Sequence, residues 1–270
     1  MRRRRPGHGD DRRTIELSSD RPDLAALARI AREVAAEWEV ELGAPFALAR
    51  YSFVAPAGDD AVLKVTPPED DEADEEPDAL ELWGGDGAVR LLRRDDARRA
   101  LLIERVRPGD DIAELSEEEA TQMAVSTGLQ LWRPAAQLFR WIGDHIPRWL
   151  DQAEGHELLP LARELYQSLD VGRETLVHGD LHHHNILRST RGPVAIDPKP
   201  MLGEPEYDIP SFLWNPLPYR MQRDVTERRL AAFAAAGLDD ERMRTWAVIR
   251  GAYLGADEEE SEVLRSLLLS

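Results

Sequence analysis

The period of the hydrophobic pattern changes part-way along the chain, and this constrains the fold more than any other feature. Up to about residue 106 the apolar residues come in short runs: 46–55, 61–66 (AVLKVT), 88–92 (AVRLL) and 100–106 (ALLIERV). Runs of this length bounded by Gly, Pro and Asp read as strands, and Gly-Asp-Asp at 58–60 reads as a hairpin turn. Pro108 and Gly109 break the pattern. Beyond them the spacing is helical over 116–131, 135–153, 157–169, 220–236, 239–254 and 258–269. Ser116 followed by Glu119 has the form of a capping box. One earlier helix is expected over 21–42, where Leu24, Leu27, Ile30, Val34, Ala35 and Trp38 recur at helical spacing behind Asp20 as cap. The expectation is an α+β chain with a β-rich part at 14–106, a connector near 104–111 and a larger, mainly helical part at 107–270. Residues 1–13, MRRRRPGHGDDRR, read as a disordered basic tail. No apolar stretch follows them, so no secretory signal is expected.

Composition narrows the partners. The 270 residues carry 34 basic and 52 acidic side chains, a net charge of -18. Such a surface repels nucleic acid and anionic membranes, and no apolar run approaches the roughly 20 residues that span a bilayer. A cationic small molecule would suit it, although the same charge also serves solubility. Cysteine is absent, which excludes disulfides and thiolate chemistry and is compatible with the cytoplasm. Of the 34 basic residues only Lys64 and Lys199 are lysine. A chain so poor in lysine points to places where a compact ammonium is needed and a planar guanidinium will not serve.

The most crowded polar stretch is LVHGDLHHHNILRSTRGPVAIDPKP at 176–200. His182, His183 and His184 are consecutive and cannot all face one metal, and no H-E-x-x-H pattern occurs. A histidine-metal hydrolase is therefore weakly signalled. Phosphoryl transfer fits better. Asp180 and Asn185 stand in H-x-D-x-x-x-x-N, and Asp197 follows twelve residues after Asn185. A hairpin through 186–196 would bring Asp197 back beside Asn185. A carboxylate to orient a hydroxyl and hard oxygens to hold Mg²⁺ against nucleotide phosphates are what that chemistry needs.

These residues resemble the aminoglycoside phosphotransferases, small-molecule kinases of the protein-kinase-like class, and within them the streptomycin 6-kinase and hydroxyurea kinase group. The matching pieces are LVHGDLHHHNIL (176–187), AIDPK (195–199), GEPEYD (203–208) and FLWNP (212–216). LLIERVRPG (101–109) is similar to that group's connector and AVRLL (88–92) to the strand before it. The resemblance covers most of 42–254. It implies a bilobal protein-kinase-like fold, ATP and Mg²⁺ as cofactors, and a small-molecule acceptor such as a cationic aminocyclitol.

It further implies Asp180 as catalytic base, Asn185 and Asp197 as magnesium ligands, and Lys64 as the strand lysine that grips the nucleotide phosphates. Glu76 is the expected partner of Lys64, with Glu72 second. Main-chain groups over Glu104–Val106 would read the adenine edge. His178 and Asp208 would brace the catalytic loop. Lys199 is open between a role on phosphate or substrate and a surface role. Trp214, Trp246, Arg250 and Tyr253 are open between lining the acceptor site and packing the core. The chain departs from kinases in having no glycine-rich pattern in ALARYSFVAPA (47–57), which leaves Ser52 as a donor there, and Pro-Lys after Asp197. The other readings are a kinase-like module that holds nucleotide without transfer, and a kinase of an unrelated sugar or metabolite.

Overall fold

The structure is a computed structural model that describes residues 23–47, 51–135, 139–216 and 220–269. The tail at 1–13 and Asp20 lie outside them.

Helix α1 (Leu24–Trp38) is capped by Asp23 rather than Asp20. The Asp23 carboxylate accepts from the backbone N–H groups of Ala25 and Ala26 at 3.0 Å each, which satisfies two of the first-turn donors that a helix leaves open. The helix buries Leu27, Ala31, Val34, Ala35 and Trp38 against an antiparallel sheet of order β1-β2-β4-β3. Its strands are β1 (Phe53–Ala57), β2 (Ala61–Val65), β3 (Leu91–Asp95) and β4 (Ala100–Glu104). The expected turn is there, with Gly58 at φ 68°.

Two strand expectations shift. The strand expected at 46–55 starts only at Phe53 because residues 51–52 bend, while residues 48–50 lie outside the described ones. The strand expected at 88–92 starts at Leu91. Ala88 and Val89 are buried instead beside Ala195, with Val89 N–H donating to its carbonyl at 3.0 Å. A short apolar run does not say which neighbour it pairs with.

The acidic tract PPEDDEADEEPD at 67–78 is ordered. A 3-10 turn (Asp71–Ala73) leads into α2 (Glu76–Trp83). Its carboxylates meet cations from both parts of the chain: Asp74 pairs with Arg99, Glu75 with Arg140, and Glu72 with Lys199.

The larger lobe begins with β5 (Pro108–Asp111) and α3 (Glu117–Leu131), whose capping box is formed between Ser116 and Glu119. Then come β6 (Arg133–Pro134), α4 (Ile142–Gln152), α5 (Leu159–Ser168), β7 (Thr175–Val177), β8 (Ile186–Ser189), β9 (Val194–Ala195) and β10 (Met201–Gly203). The last helices are α6 (Ile209–Leu213), α7 (Arg223–Ala235), α8 (Asp240–Leu254) and α9 (Glu258–Leu267). The helix expected over 135–153 is shorter. It starts at Ile142; ahead of it Trp141 is bridged to Leu202 and the Leu202 N–H donates to the Arg140 carbonyl at 2.7 Å, while residues 136–138 lie outside the described ones. Sheet pairing there satisfies the backbone in place of helix bonds. Two three-stranded sheets, β10-β7-β6 and β5-β8-β9, carry the loops of the stretch at 176–200. Helix α8 runs through the core, buried without interruption from Thr245 to Tyr253, and packs on α4, α5, α6, α7 and α9. Among the described residues no helix is long and apolar enough to cross a membrane.

Candidate active site

The loop after β7 is held from beneath by one carboxylate. Asp208 is fully buried. Its Oδ2 accepts from the His178 N–H at 2.9 Å and from Trp132 Nε1 at 2.8 Å, and its Oδ1 accepts from the Gly179 N–H at 2.7 Å. His178 adds a second brace. Its Nε2 reaches the Ile196 carbonyl at 3.0 Å, and its Nδ1 accepts from the Asp180 N–H at 3.2 Å. Burial pushes this imidazole below its ordinary pKa, so it stays neutral, with the proton on Nε2 as the two bonds require. Gly179 has φ 82°. A Cβ there would stand 2.0 Å from the Lys199 carbonyl oxygen, so no other residue fits.

Asp180 leaves this loop half-buried. Burial alone would raise its carboxyl, but His182, Lys199 and Arg250 outweigh that and hold it well below the usual carboxylate range. Asn185 is anchored by its amide Nδ2, which donates to the Asp180 carbonyl at 2.9 Å. That bond leaves the amide oxygen as its remaining acceptor. The expected hairpin forms, with Ile186 opposite Ala195 and the Ile196 N–H donating to the Asn185 carbonyl at 2.9 Å. It brings Asp197 back to the loop, at φ 56°.

Lys64 on β2 joins the two lobes. Its ammonium lies 2.6 Å from Glu76 Oε2 and 2.5 Å from Asp197 Oδ1. The lysine and glutamate side chains are 7% and 2% exposed, whereas Asp197 is 57% exposed. Burial would lower the ammonium, but Asp197 and Glu76 together hold it above its ordinary value. Glu76 is pushed up by burial, and Lys64 opposes the rise. Asp197 is lowered, first by the Lys64 charge. Of the two expected partners Glu76 is therefore the one that meets Lys64, and Glu72 lies elsewhere.

Glu104 ends β4. Its N–H donates to the Arg90 carbonyl at 2.9 Å, and its carboxylate accepts from the Arg90 N–H at 3.1 Å and from Arg191. The side chain thus ties the connector to the β8–β9 turn. Val106 is half-buried and packs on the core. Ser52 lies in the bend before β1.

The histidines disperse. His182 Nε2 is 3.6 Å from Asp180 Oδ2. His183 is buried and stacked on Phe212 with ring centroids 4.0 Å apart. His184 reaches Asp111 Oδ2 at 2.7 Å. Among the described residues no group of three or more His, Asp or Glu side chains is placed to hold a metal ion. This sets the histidine-metal reading aside. Asn185 and Asp197 do offer the hard oxygens that suit Mg²⁺, an ion commonly held by one or two protein ligands plus phosphate oxygens.

A cavity of about 90 Å³ opens beside Asp180. Arg250 and Tyr253 of α8 line it, as do Lys199, Glu72, Trp149 and Tyr207. Lys199 pairs with Glu72 at 2.8 Å, so it is neither a bare surface residue nor alone. Arg250 lies over the Tyr207 ring and donates to the carbonyls of Gly179 at 3.3 Å and Tyr207 at 3.1 Å. Two residues expected as alternatives for the lining belong to the core. Trp246 is fully buried, with its Nε1 on Glu204 at 2.5 Å, and Trp214 packs within the large cluster. Trp149 and Tyr207 were not anticipated as lining. Neither carries a local signal, since an aromatic in a buried helix or turn looks like core.

The family model for aminoglycoside/hydroxyurea antibiotic resistance kinases matches residues 46–261. The chain belongs to this family. It is 31% identical over 233 residues to a hydroxyurea phosphotransferase of Kitasatospora aureofaciens, covering 79% of this chain and 67% of that protein. It is 31% identical over 252 residues to a streptomycin 6-kinase of Streptomyces glaucescens, covering 83% of this chain and 80% of that one. The fold is similar to that of the choline kinase LicA from Streptococcus pneumoniae, with a TM-score of 0.60 at 13% identity over 89% of this chain and 96% of that one. The protein is thus an enzyme of the small-molecule kinase class with a bilobal, protein-kinase-like α+β fold.

Proposed function

We propose that this kinase moves the γ-phosphoryl group of ATP to a hydroxyl of a small molecule of the streptomycin type, with residues 14–106 as the nucleotide lobe and 107–270 as the acceptor lobe. One observation carries the reading. A single loop, fastened by Asp208, presents Asp180 to a cavity and is linked through His178 and Ile196 to Asp197, which follows β9 and meets Lys64 of β2.

In this reading Lys64 binds the nucleotide phosphates and Glu76 keeps the ammonium in place. Main-chain groups of residues 104–106 meet the adenine edge. Asn185 and Asp197 would hold Mg²⁺, which when bound neutralises phosphate charge. Asp180 orients the acceptor hydroxyl. His182, Lys199 and Arg250 outweigh burial and hold its carboxyl below the usual range, so Asp180 is an ionised acceptor for the hydroxyl proton. The aromatic wall of Trp149 and Tyr253, ring centroids 5.3 Å apart, gives the acceptor an apolar face to pack on. The acceptor class rests on kinship with the streptomycin and hydroxyurea enzymes.

The test is ADP release from Mg²⁺-ATP with a panel of aminoglycosides, hydroxyurea and simple sugars. Asp180→Ala is expected to lower turnover by about 10²–10⁴-fold while ATP still raises the unfolding midpoint. An unchanged rate in that variant would overturn the assignment of Asp180.

A further inference from the structure

Only two lysines occur among 34 basic residues, and both come to the segment after β9: Lys64 pairs with Asp197, and Lys199 follows Asp197 by two residues. The role of Lys64 follows from the site above. Lys199 has none so far. Its backbone is seated on the loop: its N–H donates to the His178 carbonyl at 2.8 Å, and its own carbonyl fills the space a Cβ on Gly179 would need. Its ammonium lies in the cavity wall with Asp180 and Arg250, on Glu72 Oε2 at 2.8 Å.

This pair differs from a structural one. The Lys199 and Glu72 side chains are 40% and 26% exposed, against 7% and 2% for Lys64 and Glu76. Ion pairs this open contribute little to stability. Nor is Lys199 needed to fasten the acidic tract. Glu75 already accepts from the Arg140 N–H at 3.0 Å through each oxygen, Arg140 Nη2 donates to the Glu72 carbonyl at 2.9 Å, and Asp74 pairs with Arg99. A compact ammonium on a flexible stem changes partners readily, whereas arginine would bind Glu72 in a bidentate fork and stay.

We propose that Lys199 is a second phosphoryl-site cation, whose ammonium leaves Glu72 for the γ-phosphoryl oxygens of bound nucleotide. The proposal rests on the kinase reading of the site. In the transfer step the acceptor oxygen forms a bond to the γ-phosphorus. The bond from that phosphorus to the bridging oxygen of ADP breaks, and ADP leaves with the electron pair. The acceptor proton passes to Asp180. Charge spreads over the equatorial oxygens meanwhile. Lys64 serves the nucleotide side, tied to Glu76 and Asp197, and Lys199 meets that charge from the acceptor side. Glu72 is the counter-ion that keeps Lys199 from closing permanently on Asp180.

The experiment compares Lys199→Met, Lys199→Arg and Glu72→Gln with the wild type. It reads three quantities: turnover, the unfolding midpoint, and the preference for AMP-PNP over ADP in Mg²⁺ by titration calorimetry. Lys199→Met is expected to lower kcat by about 10²-fold, as loss of a transition-state donor does. It should also cut the AMP-PNP preference roughly tenfold, with the midpoint within about 2 °C of wild type. Lys199→Arg should recover only part of kcat. Glu72→Gln should raise kcat, since the lysine no longer has to be drawn off a carboxylate. A parallel loss of turnover and midpoint in Lys199→Met and Glu72→Gln would mean a structural latch and overturn the proposal. A wild type inactive on every acceptor would count against the kinase reading alone. The nucleotide preference needs no acceptor, and if Lys199→Met leaves it unmoved the role of Lys199 is refuted.

Discussion

Removing the Asp208 carboxylate is the sharpest test of how the loop is held. Asp208→Ala strands three donors: the N–H groups of His178 and Gly179, and Trp132 Nε1. His178 and Asp208 are fully buried, so water does not readily replace the lost acceptor. Each buried donor left unpaired costs about 1–3 kcal/mol. Three of them give at least about 3 kcal/mol, before any effect of the cavity left by the side chain. For a domain of this size that is a fall in unfolding midpoint of about 6–12 °C, a large share of a total stability of about 5–15 kcal/mol. The assay is urea unfolding at pH 7 with thermal melts beside it. Asp208→Asn should recover part of the loss, because its amide oxygen still accepts while its amide NH₂ faces donors. If Asp208→Ala costs less than about 1 kcal/mol, the three bonds do not hold the loop and the account of its geometry fails.

Two further predictions follow from neighbouring residues. Gly179→Ala places a side chain at φ 82° and 2.0 Å from the Lys199 carbonyl; it should destabilise the fold by about 2–5 kcal/mol from backbone strain and overpacking, and a neutral result in urea unfolding would contradict the close approach. His183 is held down to about 2 by burial and by the Arg229 charge. Because the unfolded histidine titrates near 6.5 and the folded one far lower, the folded state is favoured in full above pH 6.5 and loses about 1.4 kcal/mol per pH unit as the pH falls toward 2. His183→Gln should therefore flatten the decline of the urea midpoint between pH 7 and pH 5, and an unchanged slope would show that His183 is not the group responsible.

Much of the site was legible because its parts lie close along the chain. His178, Asp180, Asn185 and Asp197 fall within twenty residues, and a hairpin is a local structure whose register follows from turn length and alternation. Hence the hairpin that returns Asp197 could be read in advance, while its register, Ile186 opposite Ala195, came from the structure. The split into strand-rich and helical parts was legible for the same reason, since each period is set by near neighbours. Boundaries were not. The pattern from 135 suits a helix, yet the Ala135 N–H donates to the Glu174 carbonyl and the Arg140 carbonyl accepts from Leu202, so sheet neighbours take these backbone bonds.

The sequence by itself determined which chemical groups are available: two lysines, a carboxylate and amide five residues apart, and a second carboxylate on a hairpin. Only the tertiary structure decided which of them meet. Both Glu72 and Glu76 were candidates for Lys64, one helical turn apart in a tract full of carboxylates. With α2 packed beside β3, Glu76 is buried against Lys64, while Glu72, in the 3-10 turn before α2, meets Lys199 of the other lobe. On α8, Trp246, Arg250 and Tyr253 recur at helical spacing, but the helix is buried so completely that no polar face orients it. Trp246 meets Glu204 while Arg250 and Tyr253 reach the cavity. The reason is physical. Spacing along a chain reports local geometry, whereas contacts such as Lys64 with Asp197, 133 residues apart, exist only once the core has closed and set the two lobes face to face.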